Sequence, residues 1–330
     1  MNRILITGGG GFVGQALLHQ LLKENTECAV LGRNRYPQLE SSNVTCYQGD
    51  ISDRAFVIRT VRDFDAVFHV AALAGIWGER KTFHDINVVG TENVIEACIA
   101  NSIPVLVHTS TPSVVFAGDD IRYGDETLPF PQRFLCNYAR TKVEAEQRVL
   151  SVDQSILKTC AIRPHLIWGP GDPHLIPRLI DRGRKGKLKI VGDGQNMVDI
   201  SYIDNVATAH ILAAKNLLTT AESSGKAYFI GQERPVKLWQ WINELFAKLD
   251  IPPVRKKVSL PAAYFVGGIL ETIHKLLIPD KEPVMTRFLA QQLAKSHYFS
   301  HTMAQEDFGY TPVVSIEEGM DKLLYWLSKK

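Results

Sequence analysis

A short apolar strand, Arg3–Thr7, runs straight into Gly8-Gly9-Gly10-Gly11-Phe12-Val13-Gly14. A tight turn between strand and helix needs a residue free to take a positive φ, and Gly8 supplies it. Gly11 lets the backbone approach a pyrophosphate, and Gly14 lets the next helix pack closely. That helix is expected from about Phe12 to Lys23. Its first residues, Phe12 and Val13, would turn free N–H groups and the positive dipole end toward an anion. Glycine runs also make ordinary turns. The strand before this one and the amphipathic helix after it point to a dinucleotide-binding turn.

The rest of the first half repeats the pattern. Strands are read at Glu27–Leu31, Thr45–Gln48, Ala66–Val70, Pro104–Thr109 and Lys158–Arg163, with helices near Ala55–Arg62, Val88–Asn101 and Asn137–Leu150. Such alternation predicts an α/β fold with a Rossmann-type, doubly wound parallel sheet, and a ligand at the carboxyl ends of its strands. After Arg163-Pro164 the pattern changes. Strands near Lys189–Val191, Val198–Tyr202 and Ala227–Ile230, with a helix over Asn205–Asn216, read as a return to the sheet. The expected division is a dinucleotide domain over 1–165 and about 198–231. A smaller, discontinuous, mostly helical substrate domain takes about 166–197 and 232–330.

Composition removes several alternatives. A net charge of +2 implies no general attraction to nucleic acid. The five cysteines, Cys28, Cys46, Cys98, Cys136 and Cys160, are scattered without a C-x-x-C pair. They read as buried thiols in a reducing compartment, with no metal site. No signal-peptide pattern precedes the first strand, and no apolar run reaches spanning length. A cytoplasmic protein is expected.

Tyr138 and Lys142 stand four apart, on one face of a helix. A nearby Lys142 would favour the phenolate, and Tyr138 would exchange a proton with a carbonyl or alcohol. The spacing also occurs as an ordinary surface pair. The strand end His108-Thr109-Ser110-Thr111-Pro112-Ser113 adds hydroxyls at the ligand crevice. Thr111 is the first choice to steady a substrate oxygen, with Ser110 and Ser113 as rivals. The plainer reading is that these hydroxyls satisfy strand-end backbone groups.

Taken in order, the glycine turn, Asn87-Val88-Val89-Gly90-Thr91, the hydroxyl-rich strand end, Tyr138–Lys142 and Arg163-Pro164 resemble the extended short-chain dehydrogenase/reductases. The segment from Arg163 to Asp172 resembles their 3β-hydroxysteroid dehydrogenase branch. Thr109–Val114, Val191–Gly194 and Asp307–Tyr310 are similar to the bacterial 2-alkyl-3-oxoalkanoate reductases, and sterol-4α-carboxylate 3-dehydrogenases are also similar. The resemblance implies a catalytic set of Thr111, Tyr138 and Lys142. It implies that Asn87 orders the helix bearing the site and that Asp50 and Ile51 meet the adenine. Ala71, Ala72 and Pro164 would line the cofactor, and Tyr138 and Lys142 would touch it.

The second strand ends Gly32-Arg33-Asn34-Arg35, where an enzyme holding the 2′-hydroxyl of NAD usually places an acid. Arginine holds a 2′-phosphate instead, so NADP(H) is expected over NAD(H), with Arg33 first and Arg35 second. The alternative is a solvated loop arginine. Trp77 and Trp168 suggest an apolar cleft for a lipid-like small molecule, or else they are packing residues. The basic run from Arg178 to Lys189 reads as a solvated face, with one member free to meet a substrate carboxylate. Residues 261–278 form the most apolar helix, carrying Tyr264, Phe265, Ile269, Leu270, Ile273, Leu276 and Leu277. Cleft lining, a homodimer contact or a peripheral membrane contact would each suit it. The reading is an NADP(H)-dependent reductase of a 3-oxo group. Its rivals are a steroid or sterol 3-dehydrogenase, a non-catalytic redox sensor and a sugar-nucleotide epimerase.

Overall fold

The computed structural model describes residues 1–40 and 44–329. Seven parallel strands form the central sheet: β1 (Arg3–Thr7), β2 (Glu27–Gly32), β3 (Thr45–Gln48), β4 (Ala66–His69), β5 (Val105–Thr109), β6 (Lys158–Pro164) and β7 (Lys226–Ile230), in the order β7-β6-β5-β4-β1-β2-β3. The order reverses at β1, so a crevice opens between the ends of β1 and β4.

Parallel strands covered on both faces must be apolar on both, and these are. Ile4, Ile6, Val30, Val105 and Val107 face one core, with α1 (Phe12–Lys23) and the helix Ile203–Leu218. Leu5, Ala29, Leu31, Val67 and Leu106 face the other, with Arg54–Thr60 and α2 (Gly90–Ala100). α3 (Asn137–Leu150) packs against β6 and α2 on that side.

Most elements lie within two residues of the sequence reading, but three readings change. Only Lys226–Ile230 returns to the main sheet. Ile190–Val191 pairs with Lys257–Val258, and Ser201–Tyr202 pairs with Ile167–Trp168. Met197–Val198 joins Val236–Lys237, His297–Phe299 and Ile121–Gly124 in a four-stranded sheet. Second, the helix expected from Val88 begins as a π-helical turn over Asp85–Val89 before α2. Third, Cys46 and Cys136 are only half-buried, while Cys28, Cys98 and Cys160 are fully buried. No helix among the described residues is long and apolar enough to cross a membrane.

Candidate functional site

A cavity of about 630 Å³ lies along the carboxyl ends of the central strands. Its lining includes Gly8, Gly11, Phe12, Val13, Arg33, Asp50, Ile51, Ala71 and Ala72 from the first half of the sheet. Ser110, Thr111, Ser113, Tyr138, Lys142 and Pro164 complete it from the second. The glycine turn is built as its sequence requires. Gly8 has φ +71°, and a Cβ there would stand 2.9 Å from the backbone of Ala71. A Cβ on Gly14 would stand 2.4 Å from the carbonyl oxygen of Gly8, so α1 packs on the turn itself. Gly14 therefore shapes the crevice from behind and does not line it.

Asn87 also stands behind the wall, almost fully buried. Its Oδ1 accepts from the Leu73 N–H at 2.7 Å, and its Nδ2 donates to the Leu73 carbonyl at 3.2 Å and to Thr141 Oγ1 at 3.0 Å. It ties the loop after β4 to α3 and makes no cavity surface. A second chain of bonds fixes the end of β4. The Ala71 N–H donates to Thr7 Oγ1, which lies 2.8 Å from His69 Nδ1. His69 Nε2 lies 2.9 Å from Thr91 Oγ1, which donates to the Asn87 carbonyl. Burial holds His69 down at about 3, with the Lys142 charge adding to the effect, so it acts as a neutral strut.

Lys142 is 2 % exposed. Its ammonium donates to the Thr109 carbonyl at 2.6 Å and to His108 Nε2 at 3.0 Å. An ammonium only donates, so His108 carries its proton on Nδ1, which is buried without a partner among the described residues. Burial lowers Lys142 to about 8, against the pull of Glu146, so at pH 7 most of it is still charged. Tyr138 lies at the cavity wall beside Thr111. The surrounding protein pushes its hydroxyl up to about 12, opposed by a hydrogen bond with Thr111. Burial here favours the phenol form of Tyr138, while the Lys142 ammonium is engaged by His108 and the Thr109 carbonyl. Thr111 Oγ1 also accepts from the Ser113 N–H at 3.2 Å, capping a short helical turn. Ser110 Oγ is buried without a partner among the described residues.

Beneath α3, Glu146 and Arg163 form a bidentate pair at 3.0 and 2.5 Å, both nearly inaccessible. The guanidinium lies 4.8 Å from the Phe229 ring centre. This pair bolts the Tyr138–Lys142 helix to β6.

The 3-beta hydroxysteroid dehydrogenase/isomerase family profile matches residues 5–262. The chain belongs to this family. It is 47% identical over 331 residues to the 2-alkyl-3-oxoalkanoate reductase of Shewanella oneidensis, covering 98% of this chain and 86% of that one. It is 32% identical to the decarboxylating sterol-4-alpha-carboxylate 3-dehydrogenase of Mus musculus, covering 97% and 90%. MoeE5, solved in complex with UDP-glucose and NAD, shares the fold with a TM-score of 0.76 and 22% identity, over 99% of each chain. The chain is accordingly an NAD(P)-dependent oxidoreductase of the 3β-hydroxysteroid dehydrogenase family.

Several expected site residues lie elsewhere. Trp168 is fully buried, edge-on to Tyr202 and Trp241. Trp77 donates to the Pro279 carbonyl at 2.7 Å and borders a separate cavity of about 770 Å³. Arg35 lies 3.8 Å from Glu40 and is outside the main cavity. In the basic run, Arg178 pairs with Glu282 and Lys185 with Asp181, and none of its members lines the main cavity. The helix Leu260–Leu277 turns Phe265, Ile269, Ile273, Leu276 and Leu277 to solvent, so it does not line the cleft. Conversely, the structure brings in Tyr36, His165, His174, Phe288 and Gln292, which the sequence reading did not select. Tyr36 packs over Gly10 and Gly32, both too close to it to carry a Cβ. An aromatic just after Arg33 was the available signal for it.

Proposed function

We propose that the protein reduces the 3-oxo group of a 2-alkyl-3-oxoalkanoate, using NADPH, to the 3-hydroxy acid. The observation that carries this reading is one cavity lined both by the glycine turn and by Thr111, Ser113, Tyr138 and Lys142. The bound dinucleotide supplies the hydride. Tyr138 gives its proton to the carbonyl oxygen, and burial that keeps it a phenol suits that direction. Thr111 holds the Tyr138 hydroxyl and the substrate oxygen in line. Lys142, fixed by His108 and the Thr109 carbonyl, keeps one N–H for the ribose and a positive charge beside the site. Ser110 Oγ, buried and unpartnered, is a further donor for the bound groups. Gly8 and Gly11, with the Phe12 and Val13 N–H groups, take the pyrophosphate, and Asp50 and Ile51 take the adenine side.

The NADP(H) preference rests on Arg33, which lines the cavity where β2 ends without an acid. Arg33→Ala should weaken NADPH binding by about 10- to 100-fold, from a charged contact worth roughly 1.5–3 kcal/mol, and NADH binding far less. Fluorescence titration of both cofactors reads this. An equal loss would leave the 2′-phosphate without its assigned partner.

Apolar side chains on the cavity wall include Ile76, Leu166, Ile167, Phe288 and Leu289. kcat/KM should therefore rise with alkyl length by up to about fourfold per methylene, or 0.8 kcal/mol, until the cleft is full. NADPH oxidation against short- and long-chain 2-alkyl-3-oxo acids, simple β-oxo acids and 3-ketosteroids tests the assignment. A flat or falling series sinks the lipid-like substrate, and a preference for the steroids moves the reading to the sterol branch. The working unit we expect is a homodimer. The exposed face of Leu260–Leu277 suits a lipid surface, with Phe265 70%, Leu276 77% and Leu277 74% exposed. The Trp77–Pro279 bond ties its end to the loop whose Ala74, Gly75 and Ile76 line the cavity. Running the same series on vesicle-borne substrate reads that contact as faster turnover.

A further inference from the structure

The acid proposed above carries a carboxylate as well as a ketone, and the basic run that would have met it stays outside the cavity. His165 lines the cavity. It follows Pro164 at the end of β6, and Leu166, with φ +42°, turns the chain directly after it. His165 Nε2 lies 2.6 Å from Nδ1 of His297, and His297 Nε2 lies 2.9 Å from the main-chain carbonyl oxygen of Gln292. A carbonyl oxygen only accepts. His297 therefore carries its proton on Nε2 and accepts at Nδ1, and a neutral His165 carries its proton on Nε2. Nδ1 of His165 is left as the ring nitrogen available to a ligand.

The pair is packed among aromatic rings, with Phe116 5.7 Å from His297 and Phe299 6.4 Å from His165 between ring centres. Burial, reinforced by the neighbouring ring, holds His165 well below the usual histidine range. Burial also lowers His297, opposed by its bond to the Gln292 carbonyl and by Asp199 and Asp120. Asp199 in turn lies 3.3 Å from His301 Nε2 and accepts from the Phe299 N–H. Without a ligand, the pair is neutral at pH 7. An anion placed at Nδ1 is the change that would charge it.

We propose that His165 is the residue that recognises the substrate's carboxylate, donating from Nδ1 while His297 and the Gln292 carbonyl hold the ring in place. This rests on the substrate being a β-oxo acid. One anion and one proton from solvent enter together, His165 becomes an imidazolium, and the resulting pair is neutral overall. The proton returns to solvent when the hydroxy acid leaves. A neutral ester or a ketone lacking the carboxylate draws no proton.

Calorimetry of the NADP(H)-loaded protein in two buffers of different ionisation enthalpy tests this at pH 7.5. Binding of a 2-alkyl-3-hydroxy acid should take up about one proton, and binding of its methyl ester none. His165→Gln can donate but cannot become charged. It should abolish the uptake and raise KM for the oxo acid by roughly 10- to 100-fold, leaving the ester and NADPH binding nearly unchanged. Wild-type binding without uptake overturns the assignment, as does uptake that persists in His165→Gln. An equal loss on acid and ester does the same. A wild-type protein that turns over the ester but no 2-alkyl-3-oxo acid overturns the substrate reading itself, and this assignment with it.

Discussion

Tyr138→Phe should slow hydride transfer by about 10²–10⁴-fold and leave NADPH binding nearly intact. The ring remains to pack at the cavity wall, and only the hydroxyl beside Thr111 is lost. Because its surroundings push that hydroxyl up to about 12, it holds its proton throughout the neutral range and is a donor as it stands. Single-turnover hydride transfer and NADPH fluorescence, measured on the same preparation, separate chemistry from binding. Turnover like that of the wild type would remove Tyr138 from the mechanism.

The second large effect concerns stability. Glu146→Ala leaves the Arg163 guanidinium charged and enclosed between Phe130 and Phe229. Removing one partner of a buried pair costs about 3–5 kcal/mol, because the desolvated charge loses its bidentate partner and keeps only the weaker attraction of Glu126. Chemical denaturation should show that loss. Turnover should fall with it, since the pair fastens the helix bearing Tyr138 and Lys142 to β6. The double variant Glu146→Leu/Arg163→Met removes both charges and should recover much of the stability. A single variant within about 1 kcal/mol of wild type would mean that the pair contributes little to stability.

What could be read from the sequence was local. The glycine turn, the alternating strands and helices, and the Tyr138–Lys142 spacing each lie within a few residues, and a doubly wound parallel sheet follows from them, though not which later strand completes it. The two tryptophans illustrate the limit. Side chains on a strand alternate, so if Ile167 faces the cavity, Trp168 faces away from it, and size alone does not give the parity. Trp77 is held by a carbonyl 202 residues distant. The four-stranded sheet pairs Ile121–Gly124 with His297–Phe299, short segments whose pairing no periodicity announces. The same distance hides His165, because what marks it out is a ring supplied by His297, 132 residues later. The apolar face at Phe265–Leu277 was legible as apolar. Its direction was not, because Gly267 and Glu271 set which side meets Thr286 and Arg287.

Asn87 has a mechanical consequence. By gripping Leu73 at both backbone groups and Thr141 on α3, it welds the loop after β4 to the helix of Tyr138 and Lys142. Those two walls behave as a single jaw. Another part of the cavity wall is built separately, with Phe288, Leu289 and Gln292 on a helix of eight residues. Side chains on that helix can change without touching the bonds that fix the Tyr138–Lys142 helix, so the shape of the cleft and the placement of Tyr138 are separable properties of this scaffold.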